Sequence, residues 1–111
     1  MLDRRKFRRF ETEINARVLT LGFVANTDTI CLVSDVSQGG AKIIAPIFFQ
    51  DNQDIRVEID ILGGPIVLEG TVVGCREDYT VKKRFDKTYS VNIKFLKPLD
   101  DSDWKNLMAL K

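Results

Sequence analysis

The sequence predicts an all-β fold with a terminal helix: a six-stranded antiparallel β-barrel on which a short C-terminal α-helix packs. Two segments alternate strictly between apolar and polar residues, which is the pattern of a half-buried strand. Turn-forming residues separate the strand-like segments at short intervals, and only the last part of the chain changes to helical spacing. Short strands in this arrangement favour a closed barrel, because closure leaves no sheet edge exposed.

The two alternating segments are DIRVEIDIL at 54–62 and YSVNIKFL at 89–96. Period-two alternation puts every second side chain on the same face of a strand, so the apolar set is predicted to face the core. This inward set comprises Ile55, Val57, Ile59 and Ile61 in the first segment and Tyr89, Val91, Ile93 and Phe95 in the second.

The other strands are predicted at 14–24, 28–36, 40–45 and 66–77. Turn signals lie between the strands, namely NTD at 26–28, SQGG at 37–40, QDNQD at 50–54 and GGP at 63–65. In the first strand the apolar phase changes between Val18 and Leu19, which predicts a β-bulge at that point.

The segment after Pro98, DDSDWKNLMAL, predicts a helix at about 100–110. An Asp or Ser provides the N-cap, and further acidic residues occupy the first turn, where their negative charge interacts favourably with the helix dipole. Trp104, Leu107 and Met108 follow at i, i+3 and i+4 and therefore share one face. We expect this face to pack on the barrel.

The length of 111 residues fits one barrel domain at 13–111, preceded by a mobile basic arm at 1–12. No apolar stretch approaches the roughly 20 residues that a membrane span needs, and no apolar segment follows the first arginines as in a signal peptide. Cys31 and Cys75 lie in apolar strand-like segments, where free thiols are expected to be buried. These features predict a cytoplasmic protein that does not insert into a membrane.

The residue types present favour a binding protein over an enzyme. The chain has no histidine, which removes the commonest near-neutral acid or base and the commonest metal ligand. Its two cysteines are too far apart in sequence for a zinc pattern, and it has no phosphate-binding loop, dinucleotide fingerprint or nucleophile elbow. We therefore expect no catalytic residues, no metal and no cofactor.

Positive charge is concentrated at the start of the chain. The segment RRKFRRF at 4–10 contains five basic residues, although the formal net charge of the whole chain is only +1. Without residues 1–10 the chain has twelve basic and fifteen acidic residues. A local positive charge beside an acidic body favours a small anionic target over a long polyanion such as a nucleic acid.

Two separated motifs give the sequence a resemblance to the PilZ domain family. The first is R-x-x-x-R, at Arg5 and Arg9, with Arg9 directly before an aromatic residue. The second is [DN]-x-S-x-x-G, at Asp35, Ser37 and Gly40 within DVSQGG. The order of strands between and after the motifs is also similar to that family, so the resemblance covers essentially the whole chain.

This resemblance implies a barrel that binds cyclic diguanylate, a bacterial second messenger with two guanines and two phosphates. The implied ligand-binding residues are Arg4, Arg5 and Arg9 in the arm and Asp35, Ser37, Gly39 and Gly40 in the turn. An arginine fork can bind guanine O6 and N7 together, pair with phosphate and stack on a base. A carboxylate and a hydroxyl can accept from guanine N–H groups or from the turn itself, and the glycines permit positive φ and close approach.

The resemblance also implies how many ligands bind and how the signal is passed on. In similar sequences an arginine directly before R-x-x-x-R goes with two mutually stacked ligands, and Arg4 occupies that place. Binding is expected to draw the polar arm across the barrel mouth, because such a segment does not order itself without a partner. The resulting surface is expected to be recognised by an unidentified effector protein.

The sequence departs from the family pattern in two places, and two other functions remain open. Some members have an aromatic residue near the end of the fifth strand, where this chain has VVGCRED, and Asn92 stands where glycine is frequent. One alternative is a degenerate PilZ adaptor that acts by protein contact without ligand. The other is a small barrel that binds single-stranded nucleic acid, which needs surface aromatics along a basic groove. Within the arm only Phe7 and Phe10 are aromatic, so we expect no nucleic-acid partner.

Overall fold

The computed structural model describes residues 9–21, 28–61, 64–78 and 87–109. Within these ranges the chain forms strands β1 to β6 followed by one helix, α1. The elements are β1 (Phe10–Thr20), β2 (Asp28–Ser37), β3 (Gly40–Ala45), β4 (Asp54–Ile61), β5 (Gly64–Glu77), β6 (Tyr89–Phe95) and α1 (Asp101–Met108).

The strands form one closed antiparallel barrel in the order β1-β2-β3-β6-β5-β4. The barrel closes where residues Arg17–Thr20 of β1 pair with Ile55–Glu58 of β4. This confirms the predicted fold class, and every predicted strand and the helix are present.

The core lies inside the barrel and is formed by alternate residues of each strand. The predicted inward residues of β4 and β6 that are buried are Ile55, Val57, Ile59, Val91, Ile93 and Phe95. Tyr89 is half-buried and packs against this core, whereas the side chain of Ile61 lies outside the described part. Alternation with period two therefore identified the correct face of both strands.

The first strand differs from its prediction in two ways. It begins at Phe10 rather than at residue 14, so residues 10–12 belong to the barrel and not to the arm; predicted residues 22–24 lie outside the described residues. The predicted bulge between Val18 and Leu19 is wrong, because the pairing with β2 and with β4 continues without interruption there. The alternation of inward-facing residues continues from Val18 to Thr20, because Thr20 is buried and Leu19 is only half-buried.

The helix begins and packs as predicted. Asp100 is the N-cap, and its carboxylate accepts a hydrogen bond from the backbone N–H of Asp103 at 2.7 Å. Leu107 is fully buried, and Trp104 and Met108 pack against the core. The rings of Trp104 and Phe10 lie 5.6 Å apart between centroids. The helix therefore contacts the first residue of β1, directly after Arg9.

Both cysteines have free thiols, with Cys31 buried and Cys75 half-buried. Burial raises the pKa of the Cys31 thiol to about 12 and also raises the pKa of Cys75. Among the residues that the structure describes, no helix is both long enough and apolar enough to cross a bilayer.

Candidate functional site

A row of cross-strand partners crosses the outer face of the barrel and passes through the second motif. Glu11 pairs with Asp35, Asp35 with Lys42, Lys42 with Asn92, and Asn92 with Gly74. The row takes one residue from each of β1, β2, β3, β6 and β5. The residues next to the row along these strands are mostly buried, so the row itself faces outward. The barrel wall therefore presents a continuous polar strip at this position.

Three irregularities in the sheet lie directly beside this row. The strand registers shift between Glu11 and Ile14, between Val33 and Asp35, and between Val72 and Gly74. Bulges of this kind change the direction of side chains and are frequent next to functional sites. Their clustering at one polar row marks this part of the barrel as the candidate site.

Arg9 and Asp35, one from each sequence motif, meet at this row. The Arg9 Nη1 atom lies 3.7 Å from Asp35 Oδ2, and the two side chains are 34% and 24% exposed. The other carboxylate oxygen, Oδ1, is buried and has no hydrogen-bond partner within the described part of the chain. A buried acceptor without a donor is unfavourable, so Oδ1 is suited to accept an N–H from a bound molecule. Arg4 and Arg5 lie outside the described residues.

Ser37 lies two residues further along β2 and has partners within its own turn. Its Oγ accepts a hydrogen bond from the Gly39 N–H at 3.3 Å and donates one to the Gly40 carbonyl at 3.4 Å. The residue is 8% exposed. In this structure Ser37 therefore stabilises the β2–β3 turn beside Asp35.

The two glycines of the turn serve packing rather than an unusual backbone conformation. The expected positive φ is not found at either, since Gly64 is the positive-φ glycine among the described residues. At Gly40 a Cβ atom would lie 2.4 Å from the backbone oxygen of Ile93, so only glycine fits. The Gly39 carbonyl accepts from the Phe95 N–H at 3.0 Å, which holds the turn against the end of β6.

Two open grooves meet at this row, and they differ in charge. The first has a volume of about 710 Å³ and is lined by the acidic side chains of Glu11, Glu13 and Asp35 together with Lys42. The second has a volume of about 490 Å³ and is lined by Arg9, Lys42, Arg76, Glu77 and Asp78, with Ser90 and Asn92. Lys42 lines both grooves, of which the first has three acids and one cation and the second has three cations and two acids.

Sequence reasoning did not identify Lys42 or Arg76 as site residues, and it noted Asn92 only as a departure. Alternation along β6 predicts that Asn92 faces outward, but the side chains that surround it depend on strand register. The cross-strand partner of Asn92 is Gly74, which has no side chain. A Cβ atom at Gly74 would lie 3.9 Å from Asn92 Nδ2, an ordinary contact distance, so the amide lies directly beside β5.

Across the described ranges, no cluster of His, Cys, Asp or Glu side chains is placed to hold a metal ion. The cations of the second groove can pair with an organic anion, and the carboxylates of the first groove can accept from N–H donors.

Comparison with known proteins identifies a family and a fold. Residues 3–110 match the family model described as the PilZ domain. Solved structures with similar folds include the inhibitor of motility MotI/DgrA of Bacillus subtilis, with 16% identity, a TM-score of 0.71, and coverage of 97% of this chain and 50% of that one. The PilZ domain of YcgR from Escherichia coli, solved with c-di-GMP, has 16% identity, a TM-score of 0.68, and coverage of 95% and 87%.

A further similar fold is MrkH of K. pneumonia in complex with c-di-GMP, with 15% identity, a TM-score of 0.62, and coverage of 98% of this chain and 50% of that one. The chain thus spans about half the length of MotI and of MrkH. No curated protein sequence matches the chain.

Proposed function

Since the chain belongs to the PilZ domain family, we propose that it is a receptor for cyclic diguanylate and that its N-terminal arm closes over the bound ligand. YcgR and MrkH, whose folds are similar, have been solved with c-di-GMP. The observation that most directly supports the proposal is the approach of Arg9 to Asp35, one residue from each motif, on the barrel wall.

The chemistry of the ligand matches the groups at that point. Guanine has N–H donors on its Watson–Crick edge, and the buried Oδ1 of Asp35 is an acceptor without a donor. Guanine O6 and N7 and the phosphates are acceptors, and arginine forks from the arm donate to such groups. We assign Asp35 to accept from the guanine N–H groups, and Arg4, Arg5 and Arg9 to donate to the guanine and phosphate acceptors.

The output of binding is a change in the position of the arm. The ligand stabilises the closed arm to the extent that it binds this form more tightly than the open one. Closure brings arm, ligand and barrel into one surface, and an effector protein recognises that surface. The protein acts by binding and not by catalysis.

Calorimetric titration of the purified chain tests this function. We expect saturable binding of cyclic diguanylate and no binding of GTP or a short oligonucleotide. Asp35→Ala removes both carboxylate oxygens, so it should weaken binding, whereas Asp60→Ala on the exposed face of β4 should not. Absence of binding would favour an adaptor that works without ligand, and binding of the oligonucleotide alone would favour a nucleic-acid barrel.

A further inference from the structure

We infer that Lys42 and Asn92, which belong to neither motif, form a phosphate-binding subsite on the barrel wall that fixes the orientation of the ligand. This inference rests on the proposed function, because the phosphodiester to be bound is that of cyclic diguanylate.

The two residues are neighbours whose side chains have no hydrogen-bond or ion-pair partner among the described residues. They are cross-strand partners on β3 and β6, both are half-buried, and both line the second groove. Throughout the described residues, neither side chain forms a hydrogen bond or an ion pair. A half-buried ammonium group and amide that face a groove without partners are available to an anionic ligand.

The distribution of charge places the phosphate on one side of Lys42 and the base on the other. The first groove has acidic Glu11 and Glu13 beside Asp35, which repel an anion and attract N–H donors. The second groove has three cations, and one of its acids, Glu77, is already paired with Lys87 at 3.8 Å. The guanine donor edge is therefore expected toward Asp35 and the phosphodiester toward Lys42.

The cross-strand glycine keeps the amide of Asn92 accessible. Gly74 has no side chain to cover Asn92, and a Cβ atom added at Gly74 would lie 3.9 Å from Asn92 Nδ2. An amide N–H can therefore donate to a phosphate oxygen while the Lys42 ammonium supplies the positive charge. This polar contact takes the place of aromatic stacking at this wall of the site.

The test is calorimetric titration of the full chain with cyclic diguanylate at low and high sodium chloride. Lys42→Met should raise the dissociation constant about tenfold and reduce its dependence on salt, because a charged hydrogen bond is lost. Lys97→Met, which removes an exposed charge from a different groove, should bind like the wild type. Asn92→Ala should weaken binding by roughly three- to tenfold with the salt dependence unchanged.

Lys42→Arg keeps the charge and should recover most of the affinity, and thermal unfolding of each variant separates lost binding from lost folding. If the wild type binds and both Lys42→Met and Asn92→Ala bind with the same affinity as the wild type, the subsite is wrong and the proposed function stands. If Lys97→Met weakened ligand binding as much as Lys42→Met, the subsite would also be overturned, because the effect would then come from general electrostatic attraction between the protein and the ligand. A wild type that does not bind overturns both the proposed function and the subsite.

Discussion

Asp35 and Ser37 stand two residues apart in one motif, yet their surroundings differ. Asp35 lies beside Arg9 and keeps one buried carboxylate oxygen without a partner among the described residues, whereas Ser37 is bonded to the backbone of its own turn. At the scale of single residues, the motif therefore combines a group suited to ligand contact with groups that hold it in place. Substitutions at the two kinds of position should have different consequences.

Arg9→Ala and Asp35→Ala should each weaken binding of cyclic diguanylate by about tenfold or more, because each removes a charged contact to the ligand. The ion pair between them is partly exposed, so the free energy of unfolding should change by less than about 1 kcal/mol. Arg5→Ala should behave like Arg9→Ala. Calorimetry and urea denaturation measure the two effects, and wild-type affinity in both arginine variants would show that the arm is assigned in the wrong register.

Gly40→Val should lower the free energy of unfolding by about 1–3 kcal/mol and weaken binding as well. A Cβ at this position would lie 2.4 Å from the Ile93 backbone oxygen, so the turn beside Asp35 has to move. Gly74→Ala is the matched control, because its Cβ would meet only the Asn92 amide, at 3.9 Å. Thermal unfolding compares the two variants, and equal stability would contradict the close approach.

Cys31 should resist thiol reagents at pH 8 in the folded protein and react once the chain is unfolded. Burial raises the pKa of this thiol to about 12, so almost no thiolate is present near neutral pH. The pKa of this thiol is higher in the folded protein than in the unfolded chain. Its contribution to the free energy of unfolding is therefore present at low pH and is lost as pH rises from the unfolded pKa toward 12. Counting reactive thiols with and without urea measures the first effect, and rapid labelling of both folded cysteines would contradict it.

At the scale of whole elements, the β2–β3 turn is hydrogen-bonded to the segment that leads into α1 and to the first helical residue, Asp101. The Gln38 carbonyl accepts from the Leu99 N–H at 2.8 Å, and its side-chain amide donates to the Leu99 carbonyl at 3.2 Å. The helix in turn contacts Phe10 at the start of β1 through Trp104. The turn that presents Asp35 and the point where the arm leaves the barrel are therefore positioned by one short helix.

Trp104→Ala should lower the free energy of unfolding by about 2 kcal/mol and also weaken ligand binding. The ring of Trp104 lies 5.6 Å from that of Phe10, so its loss frees the residue that follows Arg9. Leu107→Ala is the comparison, because Leu107 is fully buried and does not take part in this ring contact, so its loss should affect stability more than affinity. Denaturation and calorimetry on both variants separate the effects, and unchanged affinity in Trp104→Ala would contradict the link.

The sequence predicted elements better than it predicted the neighbours of each side chain. Strict alternation was sufficient for β4 and β6, because the described inward residues of these strands other than Tyr89 are buried. It failed in β1, where buried Thr20 continues the inward phase that the apolar pattern assigns to Leu19. The partnership of Lys42 with Asn92 depends on the register between strands that are far apart in sequence, and alternation contains no information on register.

At the scale of the whole molecule, the arm sequence and the groove beside Asp35 have opposite charge. Residues 4–10 contain five basic residues, and the groove nearest Asp35 is lined by Glu11 and Glu13. We therefore expect electrostatic attraction between the arm and this groove. Under the proposed function an anionic ligand adds phosphate contacts to the arginines and to Lys42, so affinity should fall as salt screens these pairs.

The last prediction concerns the number of ligands, which depends on whether the arm can neutralise more than one. A stacked pair of cyclic diguanylates has twice the phosphates and additional guanine edges, and one more guanidinium can pair or stack with them where an apolar side chain cannot. Arg4 directly precedes the arm motif, so we expect wild-type chain to bind two ligands and Arg4→Leu to shift toward one. Calorimetry at saturating ligand measures the ratio, with Lys97→Met as the control for loss of a charge. Saturation at one ligand in the wild type, unchanged in Arg4→Leu, would show that Arg4 is simply solvated and that a single ligand fills the space between arm and barrel.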